Sequence, residues 1–298
     1  MDYPTTEYSL AAGLLVCSMF GMGTTLTVAD FLQVLRQPLG LVLVLVLQCL
    51  VAPTVAVLLA KILGVSPGVA AGMLLMAALP GGSYTNLYTW LGRGNVALSV
   101  AATTFCTALC VVTTPLVLQA FGNAQHEIVM PVRLIFSEIG SWLLLPLVAG
   151  MTVRRFLPSV YARLGKAAIW MSLALLVAIV VAASTAGRLK LLSEGWRGPA
   201  AIIAFGGAML WVTYGTCLLA RRCIADLFTI AIEVVVRNGN LALLLKASLY
   251  PDGSTDPTLA SGVLYAILFY VVVSLVIATL EVYVRRTNWG VIYGRGRP

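Results

Sequence analysis

The sequence predicts an all-α polytopic membrane protein, and three observations carry that prediction. Apolar residues make up 60% of the chain and charged ones only 10%, against about 25% charged in a soluble globular domain. The apolar residues fall in runs of roughly 20 between short polar breaks, the length a helix needs to cross a bilayer. Two of these runs are interrupted near their middle by Pro/Gly or Asn/Gly clusters. With a mean hydropathy of +0.97, a water-soluble fold of 298 residues has no interior large enough to hide so much apolar surface.

Reading the runs in order gives nine expected crossings, at about 7–28, 39–62, 67–92, 96–120, 130–152, 166–187, 198–220, 224–248 and 258–284, with ends uncertain by a few residues. The first is not read as a signal peptide, because Asp2 and Glu7 make its flank acidic and no small-residue cleavage site follows. Residues 285–298 read as a tail, with Trp289 and Tyr293 among arginines, resting at the membrane interface.

Orientation follows from Lys and Arg in alternate loops. One side collects twelve: Arg36, Arg93, Arg154, Arg155, Arg163, Lys166, Arg221, Arg222, Arg285, Arg286, Arg295 and Arg297. The other has six, Lys61, Arg133, Arg188, Lys190, Arg197 and Lys246, and Arg237 is left inside a helix. The amino terminus is expected outside and the carboxyl terminus in the cytoplasm, in a cell (inner) membrane. The net charge of +8 is dispersed over loops and forms no basic face, so nucleic acid is not an expected partner.

The six cysteines lie in or beside apolar runs, without a CxxC pair or a Cys/His cluster. They read as packing residues and not as a transition-metal site. His126, the single histidine, falls in a short polar loop, so a nucleophile/base constellation for an enzyme is lacking.

The third crossing, 67–92, runs as apolar helix to Leu79 and then meets Pro80-Gly81-Gly82-Ser83-Tyr84-Thr85-Asn86. Proline removes a backbone donor and clashes with the preceding turn, and paired glycines relax the chain further. The eighth, 224–248, runs to Val236 and meets Arg237-Asn238-Gly239-Asn240 before Leu241 resumes the apolar pattern. Backbone groups freed at membrane depth need partners from protein, water or ligand. Interrupted segments at corresponding places in two halves point to a transporter site between inverted repeats. The alternative is a proline kink with polar residues bonding locally.

Glu233 and Arg237 are four residues apart, so on a continuous helix they share a face and pair. Ionisable groups at this depth mark a pathway or site, or else a neutralised pair that locks helices together. Glu138 is a weaker candidate nearer the outer end. Among Thr103, Thr104, Thr107, Thr113 and Thr114, only Thr103 is singled out; the other hydroxyls are expected to bond the preceding turn. Ser66-Pro67 and Asp252 to Pro257 read as a turn and an ordinary loop.

Three blocks resemble the bile acid:sodium symporter family. They are Phe20-Gly21-Met22-Gly23-Thr24-Thr25-Leu26-Thr27 with Asp30-Phe31, then Pro80-Gly81-Gly82 with Asn86 and Arg93-Gly94-Asn95-Val96-Ala97-Leu98-Ser99-Val100, and Glu233-Val234 with Asn238 and Leu241-Ala242. The resemblance implies inverted repeats, a panel domain, and a core domain in which two discontinuous helices cross, here in a nine-helix form. It implies a sodium site at Thr85, Asn86, Ser99, Thr103 and Glu233, all able to offer the oxygen that a hard cation prefers.

A second family site maps onto Gln48, Glu233, the carbonyls of Val234 and Val236, and residue 237, where the family has glutamine and this chain has Arg237. A guanidinium donates only. About 4 Å from a bound cation it repels by about 4 kcal/mol at an effective dielectric of 20, roughly a thousandfold in affinity. Arg237 is therefore expected to stand in for the second sodium, pairing with Glu233 beside Gln48. If it satisfies Glu233 completely, neither sodium binds and the protein is a sodium-independent uniporter or facilitator.

By the same resemblance the substrate is an organic anion, bile-acid-like or a small carboxylate. Thr85, Asn86, Arg237, Asn238 and Asn240 are expected around it, with Tyr84 nearby. Half-helix amino termini favour its negative charge, and Arg237 is an alternative direct clamp. Phe269-Tyr270 stands where some members have a His-Asn pair, making that wall more apolar. Sodium is the expected coupling ion and the bilayer the expected surroundings; no organic cofactor and no obligate protein partner are expected.

Overall fold

A computed structural model of the chain describes residues 3–33, 38–82, 84–122, 131–185, 195–251 and 257–293. Arg36, His126, Arg188, Lys190, Arg295, Arg297 and the loop at 252–256 lie outside them.

Fourteen α-helices follow one another without a strand among the described residues: α1 Tyr3–Gly23, α2 Val28–Gln33, α3 Pro38–Val46, α4 Ala52–Leu63, α5 Pro67–Ala78, α6 Tyr84–Leu91, α7 Val96–Gly122, α8 Val132–Ile139, α9 Leu145–Phe156, α10 Tyr161–Thr185, α11 Arg197–Leu219, α12 Ile224–Val235, α13 Gly239–Leu249 and α14 Pro257–Tyr293. Among the described residues, six stretches are long and apolar enough to cross a membrane: Pro38–Leu63, Val96–Gly122, Val132–Phe156, Tyr161–Thr185, Arg197–Leu219 and Thr258–Thr287. Two shorter apolar helices, α5 and α13, are halves of the interrupted segments. The last helix continues to Tyr293, beyond the boundary expected at 284, so the residues expected to form a tail from 285 begin as helix.

Two joins are π-helical. Leu47–Val51 links α3 to α4, and Gly140–Leu144 links α8 to α9. Pro53 and Pro146 follow these turns by two residues. In a regular helix each ring would press on the carbonyl four residues back; a wider turn relieves that clash and re-aims the side chains within it. Gln48 sits in the first such turn and is turned inward, 4% exposed.

The helices fall into two packed groups. In one, α1 lies along α9 and α10; in the other, α5 packs on α14 and α4, and α11 on α12, α14 and α4. Without a hydrophobic drive between helices in lipid, close packing needs small residues at the contact. A Cβ on Gly68 of α5 would lie 2.9 Å from the Cα of Gly262 on α14, so those two backbones touch. Between the groups, α1 runs against α13.

Candidate functional site

Both interrupted segments stop because a residue leaves the helical region. Leu79 (ψ 153°) ends α5 and Val236 (ψ 102°) ends α12, each extended. The extended stretches meet as an antiparallel bridge between Gly81 and Arg237. The Gly82 N–H donates to the Val236 carbonyl at 3.1 Å and the Asn238 N–H to the Pro80 carbonyl at 3.0 Å. Only glycine fits so close a crossing: a Cβ at Gly81 would lie 2.5 Å from Glu233 Oε2, and one at Gly82 would lie 2.9 Å from the Arg237 carbonyl oxygen.

The freed carbonyls are satisfied one by one, as burial at this depth demands. Ala78 accepts from Thr114 Oγ1 (3.0 Å), Leu79 from Arg237 Nη1 (2.7 Å) and Pro80 from the Asn238 amide. On the other strand, Glu233 accepts from Gln48 Nε2 (3.1 Å), Val235 from the Tyr270 hydroxyl (2.8 Å) and Val236 from Gly82. Thr114 thus bonds across to α5 and not to its own preceding turn, and the Thr104 and Thr107 hydroxyls make no hydrogen bond; of the expected turn bonds in this set, Thr113 forms one, to the Leu109 carbonyl. Beyond the crossing, Asn238 caps α13 by accepting from the Leu241 N–H at 3.1 Å, the ordinary N-cap bond.

Around the Glu233 carboxylate the side-chain oxygens crowd together. Ser99 Oγ donates to Glu233 Oε1 at 2.6 Å and Thr103 Oγ1 lies 2.8 Å from the same oxygen. Asn86 Oδ1 is 2.8 Å from Ser99 Oγ and 3.4 Å from Thr103 Oγ1, and Thr85 Oγ1 is 3.0 Å from Thr103 Oγ1. Ser99 and Thr103 face the same way because they are one turn apart on α7. Three hydroxyl hydrogens serve this cluster, and they face Asn86 Oδ1, Glu233 Oε1 and the carbonyls of Gly82 and Ser99. Acceptors exceed hydrogens. Glu233 is 1% exposed and its Oε2 has no hydrogen-bond partner. Carboxylate, hydroxyl and amide oxygens are the ligand type that hard cations take.

Arg237 does not join this cluster. Its Nη1 is held by the Leu79 carbonyl, while Nε and Nη2 carry no hydrogen bond. The expected pairing with Glu233 is therefore not formed. The four-residue rule presumes continuous helix, and the extended Val236 between the two residues swings Arg237 off the face that carries Glu233. Gln48 contacts the Glu233 backbone and not the guanidinium. Val234 stays buried in α12.

Two cavities border the crossing. One, of about 490 Å³, is lined by Gly82, Tyr84, Arg237, Asn238, Asn240 and Val271 among others. The second, of about 460 Å³, lies between α1, α6, α7 and α10 and includes Ser18, Asn86 and Ser172. Tyr84 and Leu87 border both. Thr85 is fully buried behind them, facing the oxygen cluster. Asn240 donates to Ser18 Oγ at 2.8 Å.

Sequence reasoning passed over three contacts. Tyr270 reaches the break itself. Asn95 caps α7 through Leu98, donates to Asp226 Oδ1 at 2.7 Å, and its amide donates to Thr229 Oγ1 at 2.8 Å. Lys246, expected in an outer loop, is 1% exposed within α13, with Nζ 2.7 Å from Glu7 Oε1. The resemblance block around Asn95 was a signal for the second; nothing local signals the third. Glu138 accepts from the Tyr8 hydroxyl at 3.1 and 3.0 Å.

The sequence profile described as the Sodium Bile acid symporter family matches residues 12–194. The chain is 32% identical over 240 residues to the "Uncharacterized sodium-dependent transporter YocS" of Bacillus subtilis, across 80% of this chain and 74% of that protein. It is 37% identical over 142 residues to the "Probable sodium/metabolite cotransporter BASS1, chloroplastic" of Arabidopsis thaliana, across 48% of this chain and 35% of that protein. To the "Ileal sodium/bile acid cotransporter" of Oryctolagus cuniculus it is 30% identical over 151 residues, across 49% and 42% respectively. Against the plant and rabbit proteins the aligned region is thus less than half of their length. The apolar helices and these similarities place the chain among integral membrane transporters of a sodium-coupled class. The chain belongs to the sodium bile acid symporter family.

Proposed function

We propose that this chain carries an organic anion, bile-acid-like or a small carboxylate, across the membrane with one sodium ion per cycle. The observation that carries the reading is the buried Glu233 carboxylate, with Ser99, Thr103, Asn86 and Thr85 around it and, among the described residues, no basic side chain hydrogen-bonded to it. Sodium bound there supplies the missing positive charge.

A single ion is favoured because the other position is taken by the protein. The carbonyls of Glu233, Val235 and Val236 are turned to Gln48, Tyr270 and Gly82, and Arg237 adds a fixed positive charge beside them. In this reading Gln48, Glu233, Val234, Val236 and Arg237 are a vestigial second site. Asn86, Asn238, Asn240 and Tyr84 meet the anion in the bordering cavities, whose volumes suit a small organic ligand. Thr85 and the Arg237 guanidinium support the site from behind. The chain then crosses the cell membrane nine times as inverted repeats, a panel domain and a core domain, with its amino terminus outside.

The test is uptake of labelled bile acids and small carboxylates into proteoliposomes, with and without an inward sodium gradient. Gradient-driven uptake lost in Glu233→Ala is expected, with one sodium per substrate in the parent and two in Arg237→Gln. Uptake indifferent to sodium overturns the coupling and leaves a uniporter; two sodium ions in the parent overturn the vestigial site.

A further inference from the structure

Polar contacts tie α1 to α13, the half-helix that follows the crossing, on one side of the crossing. On α1, Glu7, Ala11, Leu14 and Ser18 recur at helical spacing and are all buried, so they form one stripe. The stripe meets α13 at both ends. Ser18 Oγ accepts from Asn240 beside the crossing, and Glu7 takes Lys246 Nζ at 2.7 and 3.0 Å near the end of the molecule. The larger of the bordering cavities extends the other way, past Leu91 and Val282. That is the end where Arg285 binds the carbonyls of Ile224 and Arg93, and Arg286 that of Leu91.

We propose that the Glu7–Lys246 ion pair, with Ser18–Asn240 beneath it, is the gate that closes the site on the side away from the cavities. It holds α1 against α13 while the cavities face the arginine-bearing end, and it parts when the site turns to the opposite face. The proposal rests on the reading of the chain as a carrier, in which one bundle rocks against the other around a fixed site.

The chemistry of the seam suits repeated opening. Burying two charges costs hydration, and that cost is recovered when water enters between them. The Asn240–Ser18 bond likewise exchanges for bonds to water with little net change. An apolar seal of the same extent would instead expose its surface at full hydrophobic cost.

The test places a single cysteine at Ala11, between the two contacts, in the full chain with its native cysteines replaced. The protein is reconstituted in liposomes and exposed to a membrane-impermeant thiol reagent from the Glu7 side. Modification is expected to be slow in the parent and at least about tenfold faster in Glu7→Gln and in Lys246→Met, since each removes part of what favours the closed state. The exchanged pair, Glu7→Lys with Lys246→Glu, is expected to restore protection. Equal rates in all four overturn the gate, whatever uptake does. Faster modification in the single variants without sodium-driven uptake in the parent supports the gate and counts against the carrier reading. Should the single variants not fold, Glu7→Cys with Lys246→Cys is bridged by a short bis-methanethiosulfonate, which forms a disulfide with each thiol and releases methanesulfinate. Arrest of uptake reversed by reductant supports the gate; continued uptake when bridged overturns it.

Discussion

Glu233 Oε1 accepts a hydrogen bond from Ser99 Oγ at 2.6 Å, between helices that the sequence places 134 residues apart. The contact joins α12 of one interrupted segment to α7, the helix that follows the other. Thr103, one turn on, lies 2.8 Å from the same oxygen. A carboxylate with 1% exposure keeps its charge only if something nearby is positive or donates to it, and the hydroxyls do part of that.

Ser99→Ala removes an oxygen from the cluster and a donor from the charge. A hydrogen bond to a charged group is worth about 2 kcal/mol, roughly thirtyfold in an equilibrium constant. The half-saturating sodium concentration for uptake is expected to rise by about that factor, with substrate affinity at saturating sodium nearly unchanged. A sodium titration of uptake reads this directly; an unchanged sodium curve would remove Ser99 from the ion site.

Gly81→Ala is expected to be more damaging than any change to a flanking apolar residue. Its Cβ would lie 2.5 Å from Glu233 Oε2 and 3.2 Å from the Glu233 carbonyl. The carboxylate would have to move away from Gly81, and the Glu233 carbonyl would have to give by a few tenths of an ångström. Uptake should fall at least about a hundredfold, since misplacement by about 1 Å costs that much at a preorganised site. Folded protein should still be recovered, as judged by a monodisperse peak in size exclusion. Uptake within about twofold of the parent would show that the crossing is looser than its contacts imply.

Much of this arrangement is legible in the sequence, and the parts that are not share a cause. Pro80-Gly81-Gly82 and Asn238-Gly239 mark both breaks, because they are residue types that end or restart helices. Ser99 and Thr103 share a face by simple spacing. The same spacing rule misplaces Arg237, because one extended residue, Val236 (φ −86°, ψ 102°), lies between it and Glu233. Gln48 points inward from a π-turn that only Pro53 hints at. Lys246 and Glu7 sit 239 residues apart, and each read by itself resembles a loop charge. Local pattern shows where a helix stops; it does not show which distant donor takes the carbonyl left behind.

Asn95 illustrates a block whose specificity the structure explains. It caps α7, bonds Asp226 and presents its amide to Thr229, so α7 and α12 are pinned near the Glu233 oxygens. Asp226 is also paired with Arg222. Asn95→Ala loses a cap of about 1 kcal/mol and a bond to a charged group of about 2 kcal/mol. The expected result is a lower midpoint of thermal unfolding in detergent, with weaker sodium dependence in the protein that remains folded. An unchanged midpoint would show that α7 and α12 are held elsewhere.

Arg237 separates two roles that substitution can tell apart. Its Nη1 satisfies the Leu79 carbonyl, and its charge stands near the Glu233 end of α12. Arg237→Met removes both and leaves a buried carbonyl without its donor, at about 1–3 kcal/mol; its thermal midpoint should fall. Arg237→Gln removes the charge while keeping an amide donor, so it should be more stable than the methionine variant. Arg237→Lys keeps the charge with a shorter reach, and should hold the parent's sodium stoichiometry even where stability drops. If stability alone changes across the three, Arg237 is a strut for the first break. If sodium stoichiometry follows charge and stability follows the donor, one side chain both closes the crossing and replaces an ion, and the two functions are set by different atoms of the same guanidinium.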